Sequence, residues 1–166
     1  MCKSSYIKYV LGLFGMLLFA ACQDSSMYMQ YHTVDAKGWN SRDTLVFDLP
    51  EVESTSAFNV EYGLRVWRNY NYENFIMVAK LCDGKKVVST DTISFAVYDK
   101  SGKQDGAGLN FIELTKPLNH QYTLKPKKKY KLKVTHIMML DPLDGVGNVG
   151  VSIASSDSSQ RPFLRK

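Results

Sequence analysis

A chain of 166 residues with 21 Lys and Arg against 16 Asp and Glu carries a formal charge of +5, too mild an excess for nucleic acid, and no nucleic-acid-binding motif accompanies it. Its three cysteines, Cys2, Cys22 and Cys82, are too few for a disulfide framework or a zinc ligand set. The length suits one domain with a substantial core.

Residues 1–21 have the three parts of a secretory signal. Lys3 and Lys8 are the positive region, Tyr9 to Phe19 the apolar run, and Ala20-Ala21 the small residues at a cleavage site. The apolar run falls short of the about 20 residues that a spanning helix needs. Phe19-Ala20-Ala21-Cys22 resembles the bacterial lipobox, in which an aliphatic residue and two small ones precede an obligatory Cys. Phe19 is an imperfect aliphatic, with Leu18 just before it. The mature chain is therefore expected to begin at Cys22, acylated and held to a lipid bilayer. Each buried methylene contributes about 0.8 kcal/mol, so one acyl chain holds marginally and two or more hold firmly. Removing residues 1–21 leaves 145 residues with a net charge of +3. Residues 22–30 are expected to form the lipidated N-terminus and a polar tether. Gln23-Asp24-Ser25-Ser26 lacks a dense acidic run, which favours a domain facing the periplasm. With Cys22 acylated, Cys82 stands alone and is expected as a buried small hydrophobe.

From residue 31 to residue 154 the pattern is that of strands. Leu45, Phe47 and Leu49 share one parity, and Val60, Tyr62, Leu64 and Val66 alternate with Asn59, Glu61, Gly63 and Arg65. The segment Trp67 to Phe75 is rich in aromatic and polar residues. It is either a loop with its aromatics packed on the core, the favoured reading, or a sugar-stacking surface through Trp67 and Tyr70. Asp83-Gly84, between FIMVAKLC and KKVVST, is a two-residue hairpin signal. Ile93, Phe95 and Val97 continue the alternation, and Asp99-Lys100-Ser101-Gly102 predicts a second turn. Pro126 and Lys127-Lys128-Lys129 open the strand Tyr130, Leu132, Val134, His136, and the three lysines are expected to form a solvated turn. Val149, Val151 and Ile153 form the last strand. Period two with one wet face belongs to antiparallel sheet. About eight such strands predict an all-β chain with a single antiparallel β-sandwich over 31–154, jelly-roll-like or immunoglobulin-like. Residues 155–166 are expected to be a frayed tail.

Chemistry is hard to find in this pattern. His32, His120 and His136 are the only histidines, and none stands in a metal-ligand or nucleophile motif. An enzyme built on His136 would need Asp141 or Asp144 in the same pocket. Oxygen-bearing Asp141, Asp144 and Asn148 lie among glycines, but their spacing is not that of a calcium loop. The glycines are expected instead to supply positive φ, with Asp141 and Asp144 capping backbone amides of the same loop. No cofactor is expected.

Four features of the chain resemble the GldH family, gliding-motility lipoproteins of Bacteroidetes. The lipobox Cys22 is followed, after a short tether, by Trp39 and the strand from Asp43 to Phe47. Leu64-Arg65 leads to Tyr70 and Asn74-Phe75, similar to the family's "R…Y…NL" stretch. Asp91-Thr92 is followed by Asp99, Gly102, Gly106 and Gly108. His136-Ile137-Met138-Met139, then Leu143-Asp144-Gly145-Val146 and Val149-Gly150, is similar to "H.MR…L.GI.DVG". Met139, Asn148 and Phe75 depart from the pattern, which favours Arg, Asp and Leu there. The resemblance implies a non-enzymatic component of the envelope apparatus of gliding motility and type IX secretion, with other envelope proteins as partners. The interaction positions it implies are Arg65, Tyr70, Asn74, Asp91, His136 and Asp144. Trp67 joins them from the aromatic segment, whose alternative partner is a glycan.

Overall fold

Nine strands run through the residues that the computed structural model describes, 26–156 with the exception of Ala107. They are β1 (Ser26–Thr33), β2 (Leu45–Asp48), β3 (Ser56–Trp67), β4 (Asn74–Asp83), β5 (Lys86–Ala96), β6 (Phe111–Pro117), β7 (Tyr122–Leu124), β8 (Tyr130–His136) and β9 (Val146–Ser155). The signal segment, Cys22 and residues 157–166 lie outside the described residues.

The strands form two antiparallel sheets, one ordered β1-β9-β3-β6 with β7 also on β3, the other β2-β8-β4-β5. The pairs β1·β9, β2·β8, β3·β6 and β4·β5 nest like the rungs of one long hairpin whose tip is the β4–β5 turn. Rolling that hairpin up adds the β3·β9 and β4·β8 pairings. This is the connectivity of a jelly roll, and it decides between the two sandwich forms expected from the sequence.

The core lies between the sheets. Val60, Tyr62, Leu64 and Val66 of β3 face inward, as do Phe75, Met77, Ala79 and Leu81 of β4 and Leu132 and Val134 of β8. Burying each large side chain contributes about 1.5–3 kcal/mol, so the alternation that sets the strands also supplies the stability. Cys82 is buried, as expected.

Three expectations change. The stretch from Ser26 to Gln30, expected as tether, is the first part of β1, paired with β9. Its inward parity carries Gln30 and His32, which breaks the apolar alternation. At the other end Ser155 belongs to β9, and the Ser156 amide bonds to the Ala57 carbonyl at 3.2 Å, so the ordered sheet reaches past residue 154. The β4–β5 turn is centred on Gly84-Lys85, one residue later than expected, with Gly84 at φ +60°.

The face of β3 expected to be wet is also not uniformly so. Glu61 and Gly63 are buried, and an added Cβ on Gly63 or on its cross-strand partner Gly150 would lie 2.5 Å from the Tyr31 side chain. Tyr31 therefore lies flat across the outside of the β9–β3 pair. Its hydroxyl donates to Glu113 Oε1 at 2.8 Å, and the Arg65 guanidinium sits 4.2 Å from its ring centre.

Candidate interaction surface

Strand β1 sets the long axis of the molecule. It runs from Ser26, opposite Ala154, to Thr33, opposite Asn148, a rise of roughly 3.3 Å per residue. The loops 34–44, 68–73, 97–110 and 137–145 all sit at the Thr33 end, because each connects strand ends registered there. Arg65, Trp67, Tyr70, Asn74, His136 and Asp144 gather at or near this end. Asp91, opposite Ala79, lies further down the sandwich.

The four loops are tied to one another. Trp39 and Leu143 exchange two backbone hydrogen bonds of 2.8 Å, and the Trp39 indole N–H donates to the Asp43 carbonyl at 2.8 Å. The Met138 amide donates to His136 Nδ1 at 3.3 Å, so the ring proton sits on Nε2, which donates to the Trp39 carbonyl at 2.9 Å. Tyr70, fully buried, donates to the Asn74 carbonyl at 3.0 Å, and its own carbonyl accepts from Tyr98 at 2.6 Å. The Tyr72 hydroxyl donates to Asp144 at 3.2 Å. Gln104 donates to the Arg68 carbonyl at 2.9 Å, and the Arg68 guanidinium donates to the carbonyls of Leu109 and Gly108. Asp141 accepts from the amide and hydroxyl of Ser41, at 2.9 and 2.6 Å, which holds its carboxyl below the usual range.

This bracing presents apolar side chains to solvent. Met139 is fully exposed and Leu109 nearly so, with Ile137 and Leu140 about half exposed. Trp67, 43% exposed, packs on Phe111 with ring centres 3.8 Å apart. Beside that pair a groove of about 340 Å³ is lined in part by Arg65, Phe111, Glu113 and Asn148, with Arg65 and Glu113 ion-paired at 3.2 Å. Held loops with exposed apolar tips form a surface suited to docking.

The expected site residues therefore separate by role. Arg65 and Trp67 are accessible. Tyr70, the Asn74 backbone and His136 brace the loops. Asp144 is exposed beside Tyr72. Of the aromatics from Trp67 to Phe75, Tyr70 and Phe75 are packed on the core, while Trp67 is exposed. A base role for His136 fails on geometry: both ring nitrogens are taken by backbone groups, while Asp141 serves Ser41 and Asp144 serves Tyr72. The oxygens of Asp141, Asp144 and Asn148 likewise have separate partners, since Asn148 is bonded to Thr33. Among the described residues no group of three His, Cys, Asp or Glu side chains is placed to hold a metal. Asp141 caps an amide a hundred residues away rather than its own loop. Only Gly145 of that segment has positive φ, +80°, while Gly147 and Gly150 leave room for Phe111 and Tyr31. Ile137 and Met139 figure in the family resemblance and Leu140 does not, and the exposure of the three together was not anticipated from the sequence. The signal for that exposure was an apolar run continuing past a strand end.

Asp91 belongs to a bridge between the sheets. It accepts from the Tyr122 hydroxyl at 2.7 Å and lies 3.3 Å from His120 Nε2, and Tyr122 in turn lies 2.9 Å from the Tyr62 hydroxyl. Burial is the first cause pushing the Tyr62, Tyr70 and Tyr122 phenols above their ordinary value near 10. A phenol whose folded-state pKa is raised contributes stability that is complete below the unfolded value and lost as pH rises toward the folded one. These three tyrosines are expected to stay protonated while exposed phenols ionise, then to ionise together as the domain unfolds above pH 10. Ultraviolet titration of the phenolate band alongside circular dichroism checks this, and a smooth titration of every tyrosine with the fold intact would refute it.

Comparison with known proteins adds a family. A profile described as GldH lipoprotein matches residues 26–153. The gliding motility lipoprotein GldH of Flavobacterium johnsoniae is 26% identical over 155 residues, covering 89% of this chain and 96% of that protein. The homolog of gliding motility lipoprotein GldH from Christiangramia forsetii is 23% identical over 155 residues, covering 88% and 94%. Among solved structures, Eiger TNF from S. frugiperda matches over 83% of this chain and 91% of its own, at 9% identity and a TM-score of 0.39.

Proposed function

Because this chain belongs to the GldH lipoprotein family, we propose that it is a non-enzymatic component of the gliding-motility apparatus, acylated at Cys22 and facing the periplasm. In this reading it joins other envelope proteins, those of type IX secretion among them. The loop end carries the contact. The observation behind the reading is the braced set of four loops holding Ile137, Met139 and Leu140 in solvent. Exposed apolar side chains on a rigid support meet the two needs of a protein interface, desolvation energy and low ordering cost.

The test is a pull-down of the tagged protein from detergent-solubilised envelope, read by mass spectrometry. Motility or secretion proteins are expected to accompany the wild type. Ile137→Asp with Met139→Asp is expected to lose them, since two central anchors are each worth about 2 kcal/mol or more, with the thermal midpoint little changed. Recovery of the protein alone, or equal recovery by the double variant, would count against the reading.

A second reading has one observation of its own. The Trp67–Phe111 pair beside the groove at Arg65, Glu113 and Asn148 offers an apolar platform and polar groups, as a glycan requires. Envelope-glycan binding that disappears in Trp67→Ala would establish it, and a clean glycan array with folded protein would remove it.

A further inference from the structure

The end of the jelly roll opposite the loops has a different character. Lys85 and Lys86 extend from the β4–β5 turn, and Lys125, Lys127, Lys128 and Lys129 from the link between β7 and β8, all exposed. The acidic side chains of the turns at this end are Glu51, Glu53 and Asp83, which leaves a net charge of +3. Lys128 is paired with Asp83 at 2.8 Å and Lys129 with Glu51 at 3.8 Å. Among the described residues Lys85, Lys86, Lys125 and Lys127 have no carboxylate within ion-pair distance. The loops of the far end carry five basic and seven acidic side chains, so the charge is polarised along the long axis.

Two placements put lysines where the backbone or the sheet favours another residue, one at this end and one on the adjoining sheet face. Lys127, after Pro126, has φ +59°, a left-handed position that glycine fills without the clash a side chain brings. Lys80 and Lys133 stand directly opposite each other on the outer face of β4 and β8, both exposed. Like charges so placed weaken a sheet. A merely solvated turn and sheet face need neither arrangement.

We propose that this lysine-rich end rests on anionic phospholipid headgroups of the membrane that holds the anchor. The proposal depends on acylation at Cys22, as proposed above. Ser26, where β1 begins, is at the same end as the lysines. Three residues separate it from Cys22, so the link spans at most about 14 Å when fully extended. The short link keeps the lysines close to the bilayer surface, where the attraction of an anionic leaflet acts within a Debye length of about 8 Å. Each lysine at such a surface contributes about five-fold in affinity. Acyl chain and basic patch are the two signals that together give stable, oriented attachment, and this orientation aims the loop end away from the membrane.

The test uses the lipidated mature protein in vesicles of phosphatidylcholine alone or with phosphatidylglycerol. Flotation reports the anchor, and amine-reactive labelling read by mass spectrometry reports the lysines. Lys85, Lys86, Lys125 and Lys127 are expected to be labelled about five-fold more slowly in the anionic vesicles, with the protection lost at high salt. Lys100 and Lys103, at the far end, should be unaffected. Lys127→Gly is expected to raise the thermal midpoint while reducing the protection of Lys125, a pairing that a purely structural turn residue would not produce. Flotation with both vesicles but equal labelling overturns the docking and leaves the anchor standing. No flotation with either removes the anchor and the docking together. Protection that appears only when envelope proteins are added assigns the patch to an acidic protein and overturns the proposal.

Discussion

Trp39→Ala is expected to lower the unfolding free energy by about 3–5 kcal/mol, the range for deleting a large buried aromatic. Trp39 is 2% exposed, its ring stacks on Phe75 with centres 6.0 Å apart, and it lies 5.2 Å from the His136 ring. Truncation leaves a cavity between Phe75 and His136 and strips the Asp43 carbonyl of its indole donor. The effect should extend to function, because the Trp39 backbone holds Leu143 and His136 and so couples the loops 34–44 and 137–145. Urea unfolding gives the stability, and amide exchange gives the local consequence. Faster exchange at Leu143 and Met138 than at Val151, in the center of β9, is expected. Trp39→Phe should recover most of the packing without the indole bond, at an intermediate cost. A midpoint unchanged in Trp39→Ala would mean that the loops are held elsewhere.

Gly150→Val is expected to cost about 1–3 kcal/mol, the usual penalty for forcing extra atoms into a packed site. The first added carbon would already lie 2.5 Å from Tyr31 Cε1 and 2.6 Å from Cζ. Tyr31 must then leave the sheet, giving up its bond to Glu113 and the guanidinium of Arg65. Valine is otherwise a better strand residue than glycine, so the sign of the effect rests on the tyrosine. In a Tyr31→Ala background the same substitution should be neutral or stabilising. A double-mutant cycle by urea denaturation reads this reversal directly. Equal destabilisation in both backgrounds would show that Tyr31 does not lie over the glycine. The arrangement, an aromatic covering a cross-strand glycine pair, compensates for residues that would weaken two adjacent strands.

Both results depend on residues whose importance the sequence shows unevenly. Trp39 stands out in the family resemblance, but its burial is known only from the structure. Gly150 is visible only as one of several glycines near the end of the chain. Tyr31 directly follows the stretch expected as tether, and no apolar alternation marks its strand, because the inward parity of this edge strand carries Gln30 and His32. Candidate positions show the same division. Arg65, Tyr70, Asn74, His136 and Asp144 come from the resemblance, but their division into accessible and bracing groups does not.

Strands β2, β3, β4, β5, β8 and β9 followed from the sequence by itself, because period-two alternation is a local property and burial acts on each residue in turn, whereas β1, β6 and β7 emerged only in the fold. The class of fold followed from the number of those strands. Which sandwich they form, a jelly roll, was decided only by pairings such as β1 with β9 and β2 with β8, made across long stretches of chain. The two ends of the sandwich were decided the same way. Loops far apart in sequence meet at one end because their strands are registered there, and turns bearing six lysines collect at the other. A linear pattern records what each residue prefers, whereas the meeting of distant residues is set by packing, which no local preference encodes.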